Sequence, residues 1–272
     1  MLTAAAVQGA AATQPFPFAD EPAPQELHFL SLAGARTVVT PALTAVQHAL
    51  ADAHQQQRFL CVLGDAGVGK TFAVHTTALT RFPDAHLLLR LGARPGPADL
   101  RTHLHHALKL KGDPPSDPAA ADSLIRRALA TGPRIVVVDE ADRMPDVCFE
   151  YLRFLHDDLP SGLCVVLIAG QGGERALRAQ QMLHTRTAAW LTLQPLTRDQ
   201  IPQAIPALHP LWHTVPPDHL WTLDGHFAHG SLRRWALLTH HVQRALTATG
   251  IARPDRGLLR QVIRRIDTSR RP

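Results

Sequence analysis

The sequence predicts an α/β fold: a five-stranded parallel sheet flanked by helices on both faces, followed by a small helical domain. Three observations predict it. Five short apolar runs alternate with segments at helical spacing, the pattern of parallel strands joined by crossover helices. A glycine-rich loop, Gly64 to Gly69, joins the first of these runs directly to a helical segment. After Leu196 the strand-like runs stop and only helical segments follow.

The elements follow in order. Residues 1–25 are rich in Ala, Gln and Pro without periodicity, the composition of a flexible leader. Pro41–Ala53 predicts a helix, with Thr40 as N-cap, Pro41 at the first helical position and Leu43, Val46, Leu50 and Ala53 along one face. Phe59–Leu63 is an apolar run suited to a buried parallel strand, and the segment through Leu79 continues as a helix. A second strand is expected at His86–Leu91, ended by Gly92–Pro97, then helices at Asp99–Leu110 and Ala119–Thr131 around the proline-rich loop Gly112–Pro118. Arg134–Glu140 is the third strand, followed by a helix at Asp146–Leu159. The fourth strand is Leu163–Ala169, the next helix Glu174–Leu183, and the fifth strand Ala189–Leu193. Four helical segments complete the chain: Arg198–Leu208, Pro217–Leu223, Ser231–Thr247 and Asp255–Ile266. The expected domains are therefore an α/β domain at 26–196, a helical lid at 197–252, and a basic C-terminal helix and tail at 253–272.

Composition narrows the function classes. With 272 residues and 45% apolar content the chain can fill a sizeable core. No apolar run approaches the roughly 18–20 residues that span a bilayer, and no basic start precedes an apolar segment at the N-terminus, so a cytoplasmic protein without a membrane partner is expected. Cys61, Cys148 and Cys164 are odd in number and widely spaced, which is not a disulfide framework. No C-x-x-C or H-E-x-x-H spacing points to bound zinc. The formal charge is +5, and residues 253–272 alone carry seven Arg and two Asp. The basic excess thus lies in the tail, where Arg260, Arg264, Arg265, Arg270 and Arg271 suit DNA or an acidic partner.

Residues Gly64, Asp65, Ala66, Gly67, Val68, Gly69, Lys70 and Thr71 fit G-x-x-x-x-G-K-[ST]. The glycines let the backbone curl so that its N–H groups face phosphate oxygens. Lys70 reaches the β- and γ-phosphates of ATP, Thr71 holds Mg²⁺, and the start of the following helix adds its positive end. Asp139, at the end of a strand expected beside the first, is the second Mg²⁺ residue. Glu140 is placed to activate the water that attacks the γ-phosphate. Gln171 is the nearest polar residue past the fourth strand and the candidate γ-phosphate sensor. Arg186, just before the fifth strand, is the candidate arginine finger acting on a neighbouring subunit, with Arg175 and Arg178 as competitors. Arg233 opens a lid helix from which it can lean over the phosphates, and Arg234 is its alternative.

These parts, in this order and with a helical lid, resemble the AAA+ ATPases over roughly Val38 to Val242. Within them, the chain resembles the TnsC/TniB/MuB group of transposition regulators. Arg36 to Leu43 leads into a helix before the phosphate loop, Val138 to Arg143 follows the group's Asp-Glu-Ala-[HD]-Arg pattern, and Trp190 to Leu196 ends in Gln-Pro-Leu before Thr197. Ala169-Gly170-Gln171-Gly172 departs from the Gly-Thr-Pro more usual in that group after the fourth strand. The resemblance implies a homo-oligomer, ring or helical filament, that assembles on duplex DNA with ATP between subunits and Arg186 acting in trans. It implies recruitment of a transposase of DDE type and release through Glu140-dependent hydrolysis.

For the DNA contact itself, Arg94 and then Arg101 and Thr102 follow the second strand, with Lys109 and Lys111 one helix later. Backbone phosphate contact needs only such residues. Two other readings are a signalling or defence switch of the STAND type that binds proteins, and a helicase-loader or replication-initiation ATPase. The first normally carries a winged-helix segment, for which few residues follow the lid.

Overall fold

The computed structural model describes residues 18–22, 32–159 and 162–268. Two short strands come first: β1 (Phe18–Pro22) pairs antiparallel with β2 (Arg36–Val38). β1 falls within the segment expected to be a flexible leader. It shows no alternation of its own, and its order comes from bonding to β2. The rest of the expected leader, residues 1–17 and 23–25, lies outside the described residues, as do Arg270 and Arg271 of the tail.

The α/β domain then runs α1 (Pro41–Gln56), β3 (Phe59–Gly64), α2 (Lys70–Arg81), β4 (His86–Leu89), α3 (Pro97–Ala107) and α4 (Pro118–Leu129). It continues with β5 (Arg134–Val138), α5 (Asp146–Asp157), β6 (Leu163–Ile168), α6 (Glu174–Ala179), α7 (Gln181–Arg186) and β7 (Thr187–Leu193). Thr40 caps α1 as expected, its hydroxyl accepting from the Leu43 N–H at 3.1 Å. The single helix expected at 174–183 is two, because the backbone turns extended at Gln180. Arg186 is consequently the last residue of a helix rather than part of a loop.

All five long strands are parallel, in the order β4-β5-β6-β3-β7. β3 and β6 are buried along their whole length, whereas the edge strands β4 and β7 are only partly so. Side chains alternate between faces, as the two-residue repeat of a strand requires. Leu60 and Val62 pack with Val46, Leu50 and Val74 of α1 and α2. Phe59, Cys61 and Leu63 pack on the other face with Leu104, Ile125, Leu152 and Leu183 of α3, α4, α5 and α7. One expectation is corrected here. β5, which leads into Asp139, is not beside β3; β6 lies between them. The two strand ends are therefore two strand spacings apart, roughly 10 Å. Asp139 just past β5 and Thr71 in the first turn of α2 close that gap.

The lid comprises α8 (Ile201–Leu208), α9 (Pro217–Leu223), α10 (Leu232–Thr249) and α11 (Arg256–Thr268). Its core is centred on Trp212 and Trp235, fully buried with rings edge-to-face at 5.4 Å. Val38 of β2 joins this lid core, so the segment before α1 touches both parts of the molecule. Among the described residues, no helix is long and apolar enough to cross a membrane.

Candidate nucleotide site

The carboxyl ends of the strands open into a cavity of about 620 Å³, within the size range of small-molecule sites. It is lined by Ala66 to Ala73, Asp139, Glu140, Asp142, Arg143, Ala169, Gly170 and Arg233. Its apolar lining includes Val38, Leu43, Leu193, Leu208, Leu232 and Ala236, from the segment before α1, α1 itself, the end of β7 and the lid.

The glycine loop from Gly64 bends into the N-terminus of α2, which begins at Lys70 with Gly69 as its cap. The free N–H groups of that first turn, with the helix dipole, form an anion site. Lys70 Nζ donates to the carbonyls of Gly64 and Asp65 at 2.8 and 2.9 Å. Burial, with Arg233 adding to it, pulls the Lys70 ammonium below its ordinary value, and Asp139 acts against this. Thr71 Oγ1 donates to Asp139 Oδ2 at 2.8 Å. The two residues expected to share Mg²⁺ are thus in contact.

This pair fits Mg²⁺. A hydroxyl and a carboxylate give two hard oxygen ligands, and Mg²⁺ takes few protein ligands beside water and phosphate. Among the described residues, no group of three or more His, Cys, Asp or Glu forms a protein cage for a metal. The ion's other ligands would thus be water and nucleotide oxygens.

Glu140 is left-handed, with φ of 54°, uncommon for a residue with a Cβ. Its N–H donates to Asp139 Oδ1 at 2.9 Å, and its carboxylate pairs with Arg143 at 2.6 Å. Arg143, Asp142 and Arg36 also line the cavity, with no role expected from the sequence. Arg143 is the last residue of the Asp-Glu-Ala-Asp-Arg run, so its position in that run was the available signal. Arg36 opens the stretch Arg36–Leu43 that leads into α1, and its place there was the available signal.

The lid rests directly on the phosphate loop. The Arg233 N–H donates to the Gly67 carbonyl at 3.2 Å, and Ser231 Oγ reaches the same oxygen at 3.4 Å. Gly67 has φ of 88°, and a Cβ there would lie 2.5 Å from Ser231 Oγ. The glycine thus serves both the loop's curvature and the approach of α10. Below this contact, Asp224 Oδ1 accepts from the Gly230 N–H at 2.8 Å and from Trp235 Nε1 at 2.9 Å. The Leu196 N–H donates to the Gly230 carbonyl at 2.9 Å, tying the lid helix to the end of the α/β domain.

Gln171 starts a 3-10 turn after β6, and Ala169 and Gly170, between the two, line the cavity. Arg186 is not at its own chain's cavity. Leu193 at the far end of β7 lines the cavity, and Arg186 precedes the first residue of that strand, about 20 Å away at 3.3 Å per residue. Of its competitors, Arg178 is paired with Glu174 at 2.7 Å and covers the Trp190 ring at 4.5 Å. Arg234 points away from the phosphates, donating to the Phe227 carbonyl at 3.2 Å.

The five DNA candidates do not form one patch. Arg94 is exposed before α3, Thr102 is exposed at the middle of it, and Lys109 and Lys111 are exposed beyond its other end. Between Arg94 and the two lysines lies the whole helix, about 16 Å long. Arg101 is withdrawn from solvent: it binds Asp122 through two bonds of 2.7 and 3.0 Å and covers the Tyr151 ring at 4.7 Å.

Comparisons with known proteins bear on the fold. Residues 53–177 match the family model of an AAA domain. No curated protein sequence matches the chain significantly. Among solved structures, it is similar to the Aeropyrum pernix Orc1 protein in complex with DNA, with a TM-score of 0.63 and 17% identity over 88% of this chain and 68% of that one. It is similar to the Thermotoga maritima RuvB Holliday junction branch migration motor, with a TM-score of 0.56 and 14% identity over 81% and 67% of the two chains. For Cdc6p from Pyrobaculum aerophilum the TM-score is 0.59 and the identity 13%, over 76% and 62%. The parallel sheet, the phosphate loop with its Asp-Glu partner and the helical lid together give the chain the AAA+ fold, and the match of residues 53–177 to an AAA domain supports an ATP hydrolase.

Proposed function

We propose that the chain is an ATP-dependent DNA-binding regulator of transposition, which oligomerises on duplex DNA, recruits a DDE-type transposase and is released by ATP hydrolysis. The observation that carries the oligomeric part is the distance of Arg186 from its own cavity: it can serve a phosphate only in a neighbouring copy. The transposition part rests on the resemblance of Val138–Arg143 and its flanks to the TnsC/TniB/MuB group.

In this reading the ATP phosphates lie on the N–H groups of the loop and of the first turn of α2. Lys70 exchanges the carbonyls of Gly64 and Asp65 for phosphate oxygens. Thr71 and Asp139 would hold Mg²⁺, which when bound would supply charge to offset that of the phosphates. Glu140 accepts a proton from the attacking water as its oxygen bonds to the γ-phosphorus and the bond to the β–γ bridging oxygen breaks. For that, its carboxylate must part from Arg143. Arg233 adds positive charge from the lid. Arg94, Thr102, Lys109 and Lys111 are the candidates for DNA phosphate contact, and Arg101 is committed to Asp122.

The test is ATPase activity with and without duplex DNA, and electron microscopy of Glu140→Gln with ATP. DNA stimulation and persistent Glu140→Gln assemblies on DNA are expected, and Lys70→Ala should abolish nucleotide binding. Absence of DNA affinity at low salt in the ATP-bound protein refutes the transposition reading. A helicase-loader or replication-initiation role is the second reading, favoured by the 88% of this chain that superposes on Orc1. Stimulation by a replicative helicase rather than by a transposase would select it.

A further inference from the structure

Arg186 is held by a built arrangement on its own chain. Its Nε donates to Asp157 Oδ1 at 2.7 Å and its Nη2 to Asp157 Oδ2 at 2.6 Å. This is the two-bond fork in which a carboxylate fixes the plane of a guanidinium. Nη1 carries only a long bond of 3.4 Å to the Met182 carbonyl. Asp157 is itself positioned. His156 Nδ1 lies 3.1 Å from its Oδ1, while His156 Nε2 lies 2.9 Å from the Gln57 carbonyl. Arg153 approaches Asp157 Oδ2 at 3.7 Å. The backbone beneath the arginine is also pinned, because Arg58 donates to the carbonyls of Thr185 and Arg186. The Arg186 guanidinium holds the Asp157 carboxyl down at about 2, so the fork persists through the neutral range.

We propose that Asp157 is a positioning residue for ATP hydrolysis. It grips the Nε–Nη2 edge of Arg186 so that the Nη1 edge is presented, already oriented, to the γ-phosphate bound by the adjacent copy. This rests on the reading that Arg186 acts in trans. An arginine side chain loses much rotamer freedom when it is immobilised. Anchoring it in advance removes that loss from the catalytic step, where only interactions stronger in the transition state raise kcat. The cost is partial neutralisation of the guanidinium by the same carboxylate. Nη1, which faces away from the fork and holds the Met182 carbonyl only by a long bond, is left to donate to the phosphate.

The experiment measures kcat and KM for ATP in wild type, Asp157→Ala, Asp157→Asn, Arg186→Ala and the Asp157→Ala/Arg186→Ala double variant. Protein concentration is held where assembly is saturated, and melting curves establish folding. Asp157→Asn keeps the side-chain volume should Asp157→Ala fold poorly. The expected result is a loss of about tenfold in kcat for either Asp157 variant with KM unchanged, because the cavity that binds ATP in the same subunit is untouched. Arg186→Ala should lose 10²-fold or more, in line with the weight of such fingers. Removing Asp157 in the Arg186→Ala background should then cost nothing further. Additive losses, an unchanged kcat or a raised kcat in the Asp157 variants, with Arg186→Ala still impaired, overturn the positioning role alone. A fully active Arg186→Ala overturns the trans-finger reading and the positioning role with it.

Discussion

Replacing Gly67 by alanine perturbs the phosphate loop and the lid at once. The residue has φ of 88°, and the added Cβ would lie 2.5 Å from Ser231 Oγ and 2.9 Å from Arg233 Cβ. The left-handed conformation costs an L-residue about 1–2 kcal/mol. The collision adds to this, because Arg233 Cβ is fixed to the helix backbone and cannot rotate away. The start of α10 must therefore retreat. Retreat breaks the bonds from the Arg233 N–H and Ser231 Oγ to the Gly67 carbonyl, each contributing about 0.5–1.5 kcal/mol. The total is about 2–5 kcal/mol, on the order of a 10 °C fall in Tm for a chain of this size. Thermal unfolding followed by tryptophan fluorescence reports it, since Trp212 and Trp235 are both in the lid core. Binding of a fluorescent ATP analogue should weaken in parallel. Adding Ser231→Gly relieves the oxygen contact but not the Arg233 contact, so it should restore only part of the loss. Gly92→Ala, which meets nothing within 4 Å, is the neutral control. A Gly67→Ala protein that melts within about 1 °C of wild type would refute the packing of lid on loop.

Three further outcomes are expected. Glu140→Gly should abolish ATP hydrolysis yet hold or raise Tm, since left-handed strain of about 1–2 kcal/mol is relieved against roughly 0.5–1 kcal/mol of added chain entropy; a clear fall in Tm would contradict it. Asp224→Ala removes a carboxylate that accepts both the Gly230 N–H and Trp235 Nε1, and should destabilise the lid by about 2–5 kcal/mol. Denaturant unfolding of that variant measures the loss, and a change under 1 kcal/mol would rule it out. His209 Nδ1 accepts the Leu211 N–H at 3.1 Å, so protonation there would set two hydrogens face to face. Burial lowers its folded pKa below the ordinary 6.5, and the unfolded chain therefore takes the proton first. Its contribution is present above about pH 6.5 and falls with acid, by at most about 1.4 kcal/mol per pH unit. His209→Gln should flatten the stability–pH curve between pH 7 and 5 relative to wild type, and identical slopes would exclude the effect.

The phosphate loop, its Lys70 and Thr71, and the Asp139-Glu140 pair were legible because each is a local pattern with a chemical reason. The alternating runs were legible for the same cause, since burial on both faces makes β3, β5 and β6 continuously apolar. What was not legible depended on contacts between distant segments. β1 and β2 carry no periodicity and exist through each other. Arg101 reads as a free basic residue until Asp122 is brought against it by the packing of α3 and α4. Arg186 reads as a loop arginine, yet it ends a helix and is gripped by Asp157, 29 residues earlier.

The sequence by itself determined the fold class, the phosphate-loop pattern and the Asp-Glu pair that follows β5. Backbone conformation at glycine, strand burial and the Asp-Glu partner are all encoded within short stretches. Only the tertiary structure decided the strand order that sets β6 between β3 and β5, the seating of Ser231 and Arg233 on Gly67, and the side of the molecule on which Arg186 stands. Those depend on which helices cover which face of the sheet. That choice is made by packing across the whole core, and no short stretch of residues contains it.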